Sequence, residues 1–206
     1  MAPAPPFLAE DGPEDTEAEI MRAAYAALCE HGYADLTIER IGEEFPKSNS
    51  LVYRHYDGKD DLLVALLESM LDHFEGREPC DGADGPRERL ETLLDRAVTP
   101  PSGEDAEFES ALVELRGQAP HNEDYRRHFT RADRVFRAGI AETIRRGIDQ
   151  GVFREVDPDR TATVLFALLD GLRLQRATTD DGVDGEAVRA ELDAYVEARL
   201  LADDTE

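Results

Sequence analysis

Apolar residues return every three or four positions along almost the whole chain, and no stretch alternates apolar and polar residues with a period of two. Helical spacing lines one face of a helix, whereas a half-buried strand needs strict alternation, so the chain is predicted to be all-α. The spacing predicts helices over 17–31, 37–45, 49–55, 59–76, 87–98, 105–118, 122–149, 158–178 and 185–202. Pro46, Pro79, Pro86, Pro100, Pro101, Pro120 and Pro158 fall at the ends of these segments, where a fixed φ and a missing N–H do least harm. Several boundaries carry a second signal. Gly32 and Gly151 follow helices as stops, and Asp157-Pro158 reads as an N-cap followed by a pre-set first turn. Gly171 lies inside a strong helical stretch, which lowers helix propensity unless another backbone approaches closely there. Residues 1–16 hold four prolines together with Glu10, Asp11, Glu14 and Asp15, and cannot bury enough apolar area to offset the entropy of ordering; they read as a flexible acidic leader.

Short helices come first and long ones after, which divides the chain into a reading head over 17–60 and a larger helical body over 61–203. The third helix is introduced by Lys47-Ser48-Asn49-Ser50. A serine N-cap satisfies backbone donors, and a helix start rich in Asn, Ser and Lys presents donors and partial positive charge to a phosphate. Within Leu51-Val52-Tyr53-Arg54-His55-Tyr56, Val52 and Tyr56 are four apart and face a core, leaving Asn49, Ser50, Tyr53, Arg54 and His55 for a DNA groove.

Charge first argues against nucleic acid, because the net charge of −24 opposes a polyanion. Its distribution points the other way. The two lysines of the chain, Lys47 and Lys59, both lie within Thr37 to Asp60 with Arg40 and Arg54, so this stretch sums to −1 and the remainder to −23. An acid excess with arginine replacing lysine elsewhere suggests a proteome adapted to molar salt, with a merely acidic mesophilic protein as the alternative. The 206 residues can bury a real core without disulfides. Cys29 falls on an apolar helical face as a small buried hydrophobe, Cys80 gives no stronger signal, and a reducing cytoplasm with no membrane span is the expectation.

The region from Ile20 to Leu62 resembles the TetR family's N-terminal domain without a gap. The matching positions are Ile20-Met21, Ala23-Ala24, Leu28, Gly32-Tyr33, Thr37-Ile38, Ile41-Gly42, Ser48, Val52-Tyr53, Tyr56 and Lys59. The resemblance implies a homodimeric, one-component transcriptional regulator, a repressor released from a palindromic DNA operator by a small-molecule effector. It further implies that Tyr53 and Lys59 hold phosphates, that Thr37 anchors the second helix at the DNA backbone, and that Asn49, Ser50, Leu51, Arg54 and His55 face the DNA. The turn departs from the family, with Pro46 and Lys47 where a glycine and a small apolar residue are usual. Proline cannot take a positive φ, so the turn follows another path, and Phe45 stands where the family prefers alanine. Lys47 is read equally as a solvated turn residue and as a phosphate contact.

The segment from Gly147 to Phe153, through Asp157-Pro158 to Asp170-Gly171-Leu172, resembles the family's dimerisation region. Stripes at Leu165, Phe166, Leu169 and Leu172, and at Val188, Leu192, Tyr195, Val196 and Leu200, would form a four-helix interface between two copies. An effector pocket is expected among the fourth to eighth helices, with Phe74, Phe108, Leu112, Tyr125, Phe129, Phe136 and Phe166 as its walls, although aromatics at this spacing more often build plain core.

No cofactor or metal is expected. His121 and His128 are seven apart rather than the four of a helical ligand pair, and Gly182 supplies no oxygen at the third position of a calcium loop that Asp180, Asp184, Gly185 and Glu191 would otherwise fit. A connector with an N-cap near Asp184 fits better. The competing readings are an acid-rich all-α enzyme and a DNA-independent helical adaptor. No P-loop, GxGxxG, GxSxG, HExxH or paired Glu-x-x-His set supports the former, and sequence-specific DNA binding separates the latter.

Overall fold

The computed structural model describes residues 16–45, 47, 49–75, 85–180 and 183–202. The acidic leader up to residue 15, Pro46, Ser48, the side chain of Asn49, Pro79, Cys80 and Gly182 lie outside the described residues. Among those described, the chain forms α1 (Thr16–Asp35), α2 (Ile38–Glu44), α3 (Asn49–His55), α4 (Lys59–Glu75), α5 (Pro86–Val98), α6 (Glu104–Gln118), α7 (Glu123–Asp149), α8 (Pro158–Thr178) and α9 (Gly185–Arg199). The one β feature among them is an isolated bridge between Phe153 and Leu201. No helix of the described residues is long and apolar enough to cross a membrane.

The helix ends follow the local chemistry. Gly32 interrupts α1 with φ 67° and ψ 172°, so the final turn to Asp35 is a separate short piece. Thr37 Oγ1 accepts from Arg40 N at 3.3 Å to cap α2, and Asp157 accepts from Arg160 N at 3.0 Å to cap α8. The carboxylate of Asp184 caps α9 by accepting from Ala187 N at 3.0 Å, the use expected of it in place of calcium ligation. After α7 the chain reverses at Gly151, φ 72°, and both Val152 N and Phe153 N return to the carbonyl of Gly147 at 2.8 and 3.0 Å. A Cβ on Gly147 would lie 1.9 Å from the Phe153 ring, so that glycine is what lets the ring lie against the helix.

The chain packs as two compact units: Met1–Gly76 with Ser102–Thr130, and Arg77–Pro101 with Arg131–Glu206. In the first, Ile20, Ala24, Ala27 and Leu28 of α1 meet Leu36, Ile38, Ile41, Phe45, Val52, Tyr56 and the leucines of α4, with Ala111, Leu115 and Tyr125 completing the core. α1 packs most extensively on α6, so the helix-turn-helix is built together with a helix far downstream in sequence. Phe45, which follows α2, is buried in this core. The second unit gathers Leu90, Leu94, Ile140, Ile144, Phe153, Leu165, Leu172, Leu192, Val196 and Leu200 into a separate core.

Candidate nucleic-acid interface

α3 is held by one face and presents the other. Val52 and Tyr56 are buried in the first core, whereas Ser50, Arg54 and His55 are exposed and Tyr53 is 57% exposed. Tyr53 stands between the buried Val52 and the exposed Arg54 on this seven-residue helix. Leu51 is only partly exposed and packs against the core.

The basic groups around α3 are already engaged within the chain. Lys47 Nζ pairs with Glu19 Oε2 at 2.5 Å, and His55 Nδ1 lies 3.1 Å from Glu17 Oε1. Arg40 Nη1 donates to the carbonyl of Asp35 at 2.6 Å, closing the end of α1, while the Thr37 hydroxyl is taken by its own helix cap. Arg54 pairs with no acidic group among the described residues. Glu17 and Glu19 belong to no motif, and spacing gives no sign of them; only their place on the first turn of α1 brings them to α3.

Lys59 has a different setting from the other cations. Its ammonium donates to the carbonyls of Tyr33 and Leu36 at 3.0 Å each and sits 4.3 Å from the centroid of the Tyr33 ring. It therefore caps the last turn of α1, and one ammonium proton is left to reach outward. Beside it, Asp60 Oδ1 accepts from both Tyr33 OH at 3.1 Å and Tyr125 OH at 3.0 Å. Burial, and then the Asp60 carboxylate, push the Tyr33 phenol up to about 12 and raise that of Tyr125 as well, so both hydroxyls remain donors through the physiological range.

The expected pocket walls separate between the two units. Phe108, Leu112 and Phe129 pack against the first core, Phe108 lying 5.0 Å from Tyr25 and Arg116 sitting 5.2 Å over Phe129. Tyr125 is fully buried with its hydroxyl on Asp60, and Phe74 belongs to α4 of the same unit. Phe136 and Phe166 instead stack at 6.5 Å in the second unit. Cys29 sits beside Tyr25, and burial pushes its thiol up to about 11, the behaviour of an inert hydrophobe.

The residues expected at a subunit interface are turned inward. Leu165, Leu172, Leu192, Val196 and Leu200 are buried in the chain's own second core, and Leu169, Val188 and Tyr195 pack against it. What α8 exposes is a second stripe, Val164, Ala167, Leu168 and Leu174 with the half-buried Gly171 among them, roughly opposite the first. On α9, Ala187, Ala190, Ala194 and Ala198 are likewise exposed. A Cβ on Gly171 would meet nothing within 4 Å, so the close backbone approach expected there is not made among the described residues.

Comparison with known proteins places this geometry. Residues 20–66 match the family described as bacterial regulatory proteins, tetR family, and residues 86–201 match that of BetI-type transcriptional repressors, C-terminal. The fold is shared with a TetR transcription regulator from Haloarcula marismortui at 39% identity and TM-score 0.78, covering 89% of this chain and 97% of that one. A transcriptional regulator from Saccharomonospora viridis, solved in complex with choline, is 29% identical with TM-score 0.76, covering 91% and 98%. The transcriptional regulator BetI 1 of Chromohalobacter salexigens is 24% identical over 185 residues, 88% of this chain and 89% of that protein. With its α2–α3 pair inside the first match and α5 to α9 inside the second, the chain belongs to the TetR family of DNA-binding transcriptional regulators.

Proposed function

We propose that the chain works as a homodimeric repressor whose α3 pair reads a two-fold symmetric operator and whose helical body releases it on binding a small molecule. The observation that carries the reading is the outward tip of α3, where Tyr53 and Arg54 stand exposed while Val52 and Tyr56 anchor the helix in the core. In this division residues 17–60 read DNA and 61–203 bind the effector and dimerise. Ser50, Tyr53, Arg54 and His55 face the groove and Lys47 and Arg40 flank it at the phosphates, with Ser48 and Asn49 assigned to DNA contact on sequence alone. Lys59 serves the phosphates with the one proton its carbonyl contacts leave over.

Dimerisation is supported by the exposed stripes of the second unit. Glycine inside a helix lowers stability by about 1 kcal/mol relative to alanine. Gly171 sits in the middle of an uncharged stripe on an otherwise acidic chain, and a second copy crossing there would supply the missing neighbour. The alanine face of α9 permits the same close approach. The choline complex of the Saccharomonospora viridis relative makes a quaternary ammonium compound the first effector to try on this chain.

The test compares two substitutions on duplexes recovered by selection from genomic DNA. Tyr53→Phe removes a phosphate donor and is expected to weaken binding to every sequence alike, by about 0.5–1.5 kcal/mol. Arg54→Ala is expected to weaken the selected site by about 1–3 kcal/mol and to flatten discrimination between bases at one position of each half-site. Equal, sequence-blind losses for both variants, read by fluorescence anisotropy, would remove Arg54 from base recognition.

A further inference from the structure

The last turn of α1 is clamped from three directions. Glu114 Oε2 of α6 accepts from Tyr33 N at 2.7 Å and from Ala34 N at 3.3 Å, taking the donors that the break at Gly32 leaves over. Gly32 is favoured by its positive φ, and a Cβ there would make a tight 3.3 Å contact with the same carboxylate. Lys59 closes the carbonyl end of the turn, and Asp60 ties the Tyr33 ring to Tyr125 of α7 through one shared oxygen. Tyr33 and Tyr125 also meet edge to face at 6.3 Å. All of these residues lie in the first compact unit.

This clamp brackets the DNA-reading element in sequence. Tyr33 and Ala34 lie in the last turn of α1, a few residues before α2, and Lys59 and Asp60 open α4, a few residues after α3. Whatever fixes those two ends fixes the direction in which α3 points, because the 22 residues from Leu36 to Asp57 inclusive run between them. From this we infer that Glu114 and Tyr125 are positioning residues for DNA recognition, acting through Tyr33 and Asp60 although they lie outside the helix-turn-helix and touch no DNA themselves. The inference rests on α3 being the DNA-facing element. It makes the functional reading head larger than its sequence motif, with α6 and residues 123–130 of α7 as part of its frame, and it explains why α1 packs so extensively on a helix some eighty residues away.

The test uses the full chain and two duplexes, one selected from genomic DNA and one of unrelated sequence. Glu114→Gln keeps the shape and removes the charge, and Tyr125→Phe removes one oxygen. In each variant, checked to be folded by circular dichroism, affinity for the selected duplex falls roughly fivefold to twentyfold while that for the unrelated duplex changes less than about twofold. The amides of Tyr33 and Ala34 exchange faster with deuterium in Glu114→Gln. Should either variant unfold, Tyr33→Phe takes away the other hydroxyl on the same Asp60 oxygen and is expected to act in the same direction, with Tyr33→Phe and Tyr125→Phe non-additive in a double-mutant cycle. Equal losses on both duplexes, or no loss on either with the fold intact, would show the clamp to be packing alone and overturn the inference. Wild-type protein that fails to tell the two duplexes apart would overturn the DNA-reading role of α3 and this inference with it, a result distinct from any behaviour of the variants.

Discussion

Leu168→Glu is expected to give a folded monomer that no longer holds its operator, while Leu192→Glu gives a body that does not fold. The two leucines sit on neighbouring helices of one unit and differ in what covers them: Leu192 is 2% exposed and Leu168 is 42% exposed. A carboxylate at Leu192 enters the chain's own core, where an unpaired charge is destabilising by several kcal/mol. At Leu168 the isolated chain loses almost nothing, because water already reaches the side chain. In a two-fold dimer the same substitution brings two like charges to one interface, and a penalty of about 3 kcal/mol weakens association more than a hundredfold. Sedimentation velocity paired with circular dichroism separates the cases. Leu168→Glu remaining dimeric with unchanged operator affinity would remove the outward stripe of α8 from the interface, and Leu192→Glu yielding well-folded monomers would return the interface to the inward stripe.

The salt dependence of operator binding is expected to differ in shape from that of a basic regulator. Ordinary binders release counterions from DNA and lose roughly 10³–10⁵ in affinity between 50 and 200 mM salt. Lys47 and His55, the groups expected at the DNA, lie against Glu19 and Glu17, the second contact being an ion pair when His55 is protonated. Such exposed pairs are weak, about 0–1 kcal/mol each, so a phosphate can displace the glutamates. The displaced carboxylates then face a polyanion and must take up cations as the DNA releases its own. The rest of the chain carries −23, which repels DNA at long range until salt shortens the screening length to about 3 Å near 1 M. Affinity across about 0.3 to 3 M KCl is therefore expected to stay flat or rise before it falls. Glu17→Gln with Glu19→Gln should raise affinity at the low-salt end and steepen the loss at high salt by about one to two in logarithmic slope. A steep monotonic loss in the wild type, unchanged in the double variant, would show that these acids take no part.

Much of this molecule is legible in its sequence because its helices are long, amphipathic and punctuated. Gly32, Gly151, Asp157 and Asp184 each do in the structure what their residue type and place predict, since a positive φ or a cap is a local requirement. Val52 and Tyr56 turn inward for the same reason, their spacing on α3 leaving little choice. Partners distant in sequence are another matter. Glu114 is one acid among several on α6, and nothing near it announces the two amides of α1 that it holds. Tyr125 reads as one more aromatic at helical spacing, and its attachment to Asp60 emerges only when α7 is packed against α4. Lys59 sits at the family's spacing for a phosphate contact, while spacing is silent about the two carbonyls that occupy it. On α8 the larger apolar stripe is plain in the sequence. That it is used up by the chain's own core, leaving the smaller stripe around Leu168 and Gly171 outside, depends on where α5, α7 and α9 lie.

Sequence enrichment from genomic DNA with the full chain, near 1 M KCl, tests in one experiment whether this protein is a symmetric DNA-reading regulator. A dimer with paired α3 helices is expected to enrich one short two-fold symmetric sequence whose half-sites lie a helical turn, about 34–36 Å, or a multiple of it apart, each protected by one chain. A pool no richer in any sequence than its input, or an enriched site without symmetry bound by a single chain, would contradict that role.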